Sequence, residues 1–190
     1  MSKVICPSCD KTTASARALP RYHYRESGLE NVWLLGGVIE TRCPECGESF
    51  IRIWKEPQLL QVITSGLLME PAPLTGPELR FVRRSCALSQ AELASLLRCP
   101  RRATIADREA KENPGLSLPE EIGVRVILLR SFQKHLATPG NSFLEPTQLQ
   151  KLWQFAASFD RFAIHVPSHH KIKAAIQQEL WTLEEGRRVA

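Results

Sequence analysis

The chain has 190 residues, 43% hydrophobic and 24% charged, which suits one ordinary folded domain or two small ones and excludes a disordered chain. No run approaches the roughly 18 apolar residues of a membrane span, and "MSKVICPSC" lacks the apolar core and small-residue cleavage site of a secretory leader. A cytoplasmic protein without a membrane partner is therefore expected, and its formal net charge of +5 suits an anionic partner without requiring one.

The chain opens on "CPSC" at Cys6 and Cys9, and "CPECGE" returns at Cys43 and Cys46. Each Cys-x-x-Cys can form a tight knuckle with both sulfurs to one side. Pro7 and Pro44 preset the backbone after the first thiol of each pair, and Gly47 supplies a left-handed residue cheaply. In a reducing compartment, paired cysteines bind metal or do redox chemistry more often than they form disulfides. A redox pair would sit near a βαβ pattern, which is absent here. Four thiolates at about 2.3 Å fill the tetrahedral shell of Zn²⁺ and leave no open position, so one closed, structural zinc site is expected. Cys86 and Cys99 fit no such spacing and read as ordinary buried or half-buried thiols.

Between the pairs the sequence reads as strands. "RYHYRE" alternates, with Tyr22 and Tyr24 on one face; "NVWLLGGVIETR" is two β-rich runs meeting at Gly36 and Gly37, a two-residue hairpin signal; "SFIRIW" continues with Phe50, Ile51 and Ile53. So small a sheet buries too little apolar surface to stand alone, which makes metal its staple. "KEPQLLQVITSGLLMEP" fits a short helix ending near Gly66, or a strand and turn. "MEPAPLTGPE" reads as a boundary or semi-rigid linker.

Beyond it the hydrophobic period changes to about 3.6. "GPELRFVRRSCA" places Leu79, Val82 and Cys86 on one face, with Arg80, Arg83 and Arg84 largely outside it. "LSQAELASLL" has Ser89 as N-cap and Glu92 three residues on, a capping box, with Leu93, Leu96 and Leu97 as its inward stripe. After a break at "RCP", "RRATIADREA" forms another short helix, with Pro100 in its first turn. "NPG" is a turn, and "PEEIGVRVILLRSFQKHLA" is a longer amphipathic helix. Two short helices joined by a few residues match a helix-turn-helix, with its second helix over 89–97 and its recognition helix over about 100–109. Residues 78–111 carry eight Lys/Arg against four Asp/Glu, a local excess of +4 where phosphates would lie.

"CPSC", "RYHYRESGLENVWL" and "CPECGE", followed by "LRFVRRSCALSQAELASLL", resemble the MqsA-type (YgiT-type zinc finger) family of antitoxins and regulators, over roughly the first two thirds of the chain. The resemblance implies a zinc module joined to a helix-turn-helix of the Xre/Cro type. It also implies a homodimer that binds a palindromic operator in double-stranded DNA and represses its own operon, with a toxin as protein partner. The four cysteines match this pattern. Gln90 stands where the family's glutamine contacts phosphate, and Glu109 matches a glutamate common at the end of the recognition helix. The chain departs from the family at Arg98, where a glycine is usual in the turn, and in one extra residue within 98–105. It departs again at Arg108, where an aromatic is common, and at Asp107, where a basic or polar residue often faces DNA. Ser89, Gln90, Arg98, Arg101, Arg102, Thr104 and Lys111 are the expected DNA contacts. The arginines suit phosphate or guanine, and Thr104 suits phosphate or a thymine methyl.

The last fifty residues continue with "PTQLQKLWQFAASFDRFAI", where Leu149, Leu152, Trp153, Ala156, Phe159 and Phe162 lie at helical spacing. "HKIKAAIQQELWTLEEG" repeats the idea with Ile172, Ala175, Ile176, Leu180 and Leu183. Two such helices complete a core or form a dimer or partner surface. "HVPSHH" reads as a polar loop, and no catalytic set is evident. The expected fold is α+β: a zinc-stapled antiparallel β module (1–69), a Pro-rich linker (70–77), a helix-turn-helix domain (78–137) and a C-terminal helical extension (138–190). The expected function is a non-enzymatic DNA-binding regulator. The alternative is a protein-interaction module, neutralising a toxin or serving a larger complex, with a degenerate helix-turn-helix.

Overall fold

The structure, a computed structural model, describes residues 4–13, 15–70, 72–99, 101–157, 172–177 and 180–183. It is a mixed α+β arrangement. Seven strands come first: β1 (Val4–Ile5), β2 (Thr12–Thr13), β3 (Ser15–Leu19), β4 (Tyr22–His23), β5 (Val32–Leu35), β6 (Val38–Arg42) and β7 (Ser49–Ile53). Six helices follow: α1 (Glu56–Met69), α2 (Gly76–Ser85), α3 (Gln90–Leu96), α4 (Arg102–Glu109), α5 (Leu118–Ala137) and α6 (Pro146–Ala157). Two strands, β8 (Ile172–Gln177) and β9 (Leu180–Leu183), come last.

The strands form three small sheets: β1 with β2, then β3-β6-β7, then β4-β5-β8-β9. Gly36 and Gly37 do lie at positive φ, +82° and +67°, but they do not close the expected hairpin. β6 pairs with β3 and β7, whereas β5 pairs with β4 and β8, so the two glycines turn the chain from one sheet into another. The Gly36 amide donates to Pro20 O at 3.1 Å, and Gly37 O accepts from the Trp54 amide at 2.9 Å, which ties the corner to both sheets.

The second C-terminal helix expected around Ile172 and Leu183 is instead the antiparallel pair β8 and β9, with β8 running parallel to β5. "IKAAIQ" fits a period of two as well as one of 3.6, and the free edge of β5 offers backbone partners that decide between them. The sheet is therefore not wholly antiparallel. The expectations for Phe159, Phe162 and the histidines within 165–170 lie outside the described residues.

The undecided stretch after β7 is a helix, α1, and it passes straight through Gly66. It is buried on most sides and packs against α2, α5, α6 and the β8–β9 pair. Its hydroxyls are satisfied locally, Thr64 donating to Leu60 O at 2.8 Å and Ser65 to Gln61 O at 2.9 Å. Gln61 reaches the loop before α6, accepting from the Phe143 amide at 2.8 Å and donating to Asn141 O. Leu59, Ile63 and Leu68 of α1 join Leu79 and Val82 of α2, Leu128 and Phe132 of α5, and Val32 and Leu34 of β5 in one continuous core.

The carboxyl end of α1 is held by Arg125 of α5, which is fully buried. Its guanidinium donates to the carbonyls of Leu67 (3.0 Å), Leu68 (3.1 Å), Glu70 (2.7 Å) and Ala72, while its Nε lies 2.8 Å from Glu121 Oε1. A cation thus satisfies carbonyls that a helix end leaves open and meets the negative end of the helix dipole. Glu121 Oε1 also accepts the Leu74 amide at 3.0 Å, so the Pro-rich stretch is strapped to α5. Thr75 then starts α2 with a capping box to Glu78. Gly76 donates to Lys111 O at 3.0 Å, and a Cβ there would lie 2.1 Å from that oxygen and 2.4 Å from Arg108 O. Only glycine lets α2 start so close to the end of α4.

Candidate functional site

The two cysteine knuckles are the tips of two short hairpins. Ile5↔Thr12 flanks the first and Arg42↔Ser49 the second. The backbone closes each in the same way: Cys6 N donates to Lys11 O (2.9 Å) and Asp10 N to Cys6 O (2.9 Å), while Cys43 N donates to Glu48 O (2.8 Å) and Gly47 N to Cys43 O (3.0 Å). Asp10 and Gly47, the equivalent residues, both take positive φ, +57° and +75°. Turned this way, the sulfurs of Cys6, Cys9, Cys43 and Cys46 all lie within 4.8 Å of one another.

Across the two hairpins, Cys6 Sγ is 3.7 Å from Cys46 Sγ and Cys9 Sγ is 3.6 Å from Cys43 Sγ. A regular tetrahedron of sulfurs about 2.3 Å from its centre has edges of about 3.8 Å. The four cysteines can therefore hold one metal ion with little movement. The Cys46 amide, then that of Glu45, draws the Cys43 thiol down to about 7, while Cys9 is pushed up to about 12, the Lys11 amide drawing it down less than burial and the neighbouring thiols raise it. An ion must displace protons from such a set, so its binding strengthens as pH rises.

The expected DNA-contact residues fall in three places. Ser89 is the N-cap of α3 and closes its capping box with Glu92, and Gln90 is the first residue of the helix. Arg101 is the extended N-cap residue of α4, Arg102 begins the helix, and both are exposed; Thr104, two residues further on, is half-buried. Arg102 Nε donates to Gln90 Oε1 at 3.3 Å, so the starts of α3 and α4 meet. Arg98 lies in the turn between the helices with φ of +52°, a left-handed conformation that glycine adopts at least cost. Lys111 is exposed beyond the far end of α4, about 13 Å along the helix from Arg102 at 1.5 Å per residue. The structure does not bring it to the Gln90–Arg102 end.

Two expectations from helical periodicity change. Arg83, placed largely outside its helix's inward face, is buried, because Glu109 lies beside it: Arg83 Nε is 2.5 Å from Glu109 Oε1 and Nη2 is 3.0 Å from Oε2. Arg83 Nη1 also donates to Leu88 O at 2.6 Å. Leu96, placed in the inward stripe of α3, is half-exposed, at the mouth of a hollow of about 310 Å³ shared with Leu97, Cys99 and Ile127. Periodicity treats every arginine as a surface residue, and no pattern marks which carboxylate will come to it from another helix. A polar chain missed in the sequence therefore runs through the site. Glu109, fully buried, accepts from Arg83 and from Gln90 Nε2 (2.8 Å), and Gln90 accepts from Arg102.

On α4, Ile105 and Glu109 face inward, Arg102, Ala103 and Asp107 face outward, and Ala110 is exposed at the C-cap. Arg108 turns to α5 and binds Glu120 at 2.8 Å. No protein-family model, no curated protein and no solved structure matches the chain. No described helix is long and apolar enough to cross a membrane.

Proposed function

We propose that the chain is a zinc-stabilised, DNA-binding transcriptional regulator of the MqsA type, acting in the cytoplasm as a dimer on a palindromic operator. Four thiolates at tetrahedral spacing favour Zn²⁺ in a closed site, where it staples the two knuckles and has no open position for chemistry. α3 and α4 are the two helices of a helix-turn-helix, braced from behind by α2 through the Arg83–Glu109 pair. The observation that carries the reading is the end where α3 and α4 meet. Arg102 is bonded to Gln90 there and exposed, as are the adjoining Arg101 and Ser89, and α4 with its C-cap presents small residues, Ala103 and Ala110, that let a helix seat deeply in a major groove.

The test is the double change Arg101→Ala, Arg102→Ala in the metal-loaded protein. DNA binding falls and its salt dependence flattens, while the melting temperature stays unchanged. Unchanged affinity overturns the reading. Asp107 on the outward face, which repels phosphate, and the half-exposed Leu96 favour a second reading. In that reading the chain is a protein-interaction module, binding a toxin or a component of a complex, and the double change alters neither DNA binding nor partner binding.

A further inference from the structure

Gln90 is the residue that the family resemblance assigns to phosphate, yet both ends of its amide are engaged within the protein. Its Nε2 lies 2.8 Å from Glu109 Oε2, and its Oε1 accepts Arg102 Nε at 3.3 Å. The orientation is fixed by charge. A flipped amide would set its oxygen against the buried carboxylate and its NH₂ against the guanidinium, and both contacts would be repulsive. Glu109 is anchored in turn, being fully buried and gripped by two nitrogens of Arg83. Of the chain Arg83–Glu109–Gln90–Arg102, only the last member is an exposed cation.

We propose that Gln90 is a positioning residue and that Arg102 makes the phosphate contact, its guanidinium aimed by the fixed Gln90 oxygen. This rests on the DNA-binding reading and names which side chain does the binding. The Nε–H of Arg102 is used on Gln90, which leaves its two terminal nitrogens as a fork for the anion. The fork then need not be ordered when DNA arrives, because the protein has already restricted it.

The experiment is a double-mutant cycle on the metal-loaded chain, read by fluorescence anisotropy with a mixed-sequence duplex of about 30 base pairs between about 50 and 200 mM salt. A mixed sequence reports phosphate contacts whatever the operator is. Arg102→Ala is expected to weaken binding about tenfold and to lower the salt slope by about one. Gln90→Ala is expected to give a comparable loss, and the double variant to be within about twofold of Arg102→Ala alone. Losses that multiply in the double variant would show that Gln90 has its own DNA contact and would overturn the proposal. So would an unchanged salt slope in Arg102→Ala.

If melting shows that Gln90→Ala does not fold, Arg102→Lys replaces it. Lysine keeps the charge but has no guanidinium Nε to rest on Gln90, so affinity should fall severalfold with the slope retained, and unchanged affinity overturns the proposal. A folded wild-type chain that binds no duplex at the lowest salt overturns the DNA reading itself, and the role of Arg102 with it. That outcome is distinct from a wild type that binds and a cycle that is additive.

Discussion

Replacing Arg125 by Met keeps most of the stem's volume and removes the guanidinium. Four main-chain carbonyls at the end of α1 and in the following stretch, those of Leu67, Leu68, Glu70 and Ala72, then lose their donor. The Glu121 carboxylate, 3% exposed, loses its counter-ion and keeps the Leu74 amide. Each carbonyl left without a donor away from water costs about 1–3 kcal/mol if nothing relaxes, so four would cost about 4–12 kcal/mol, comparable to the whole stability of an ordinary domain, about 5–15 kcal/mol. Water entry and local fraying cap the loss near the value for breaking a buried ion pair, about 3–5 kcal/mol. Urea unfolding of the metal-loaded protein measures it, with the slope checked to show that the folded state remains compact. Adding Glu121→Gln to Arg125→Met removes the stranded charge while keeping an oxygen that can accept the Leu74 amide, and should recover part of the loss, leaving the carbonyls as the remainder. A loss below about 1 kcal/mol for the single change, or no recovery in the double, would refute the assignment of Arg125 as the clamp on α1.

Gly76→Ala drives a methyl into two backbone carbonyls that cannot swing aside, so denaturant unfolding should show a loss of about 2–3 kcal/mol. Gly123→Ala in α5 meets nothing within 4 Å and should stabilise by about 0.5–1 kcal/mol in the same assay, as expected for a helix interior. Gly47→Ala also meets nothing within 4 Å, but its φ of +75° is left-handed, so a cost of about 1–2 kcal/mol should appear without any steric clash. The Ser117 amide and hydroxyl, with Arg108, hold the Glu120 carboxyl down to about 2 from 4.5. A folded-state value below the unfolded one means that this contact's stability is present above pH 4.5 and is lost as pH falls toward 2. A carbon-detected NMR titration should place the Glu120 midpoint near 2, and Arg108→Ala should raise it only partly, since Ser117 remains.

Local chemistry was the legible part of this chain. The two Cys-x-x-Cys knuckles, the Ser89–Glu92 capping box and the apolar stripe of Leu79, Val82 and Cys86 depend on neighbours a few residues away, and they stand in the structure. What the sequence hid were partnerships over long separations. "IKAAIQ" is ambiguous by itself, and it becomes a strand only because β5, far earlier in the chain, offers an edge. The two glycines at 36 and 37 signal a turn correctly, yet the strands on either side choose other partners. Arg83 reads as a surface arginine until Glu109 is brought beside it, and nothing in the sequence marks Arg125 as the residue that meets the end of α1. At the candidate site the residue types were legible, but the bond from Arg102 to Gln90 was not, because it crosses from one helix to another.

The most direct test of the central claim is genome-wide recovery of DNA crosslinked to the tagged, zinc-loaded chain. A DNA-binding regulator predicts a sharp peak at a palindrome beside its own gene, lost in the Arg101→Ala, Arg102→Ala variant. A folded, zinc-loaded protein that recovers no site above background would contradict it.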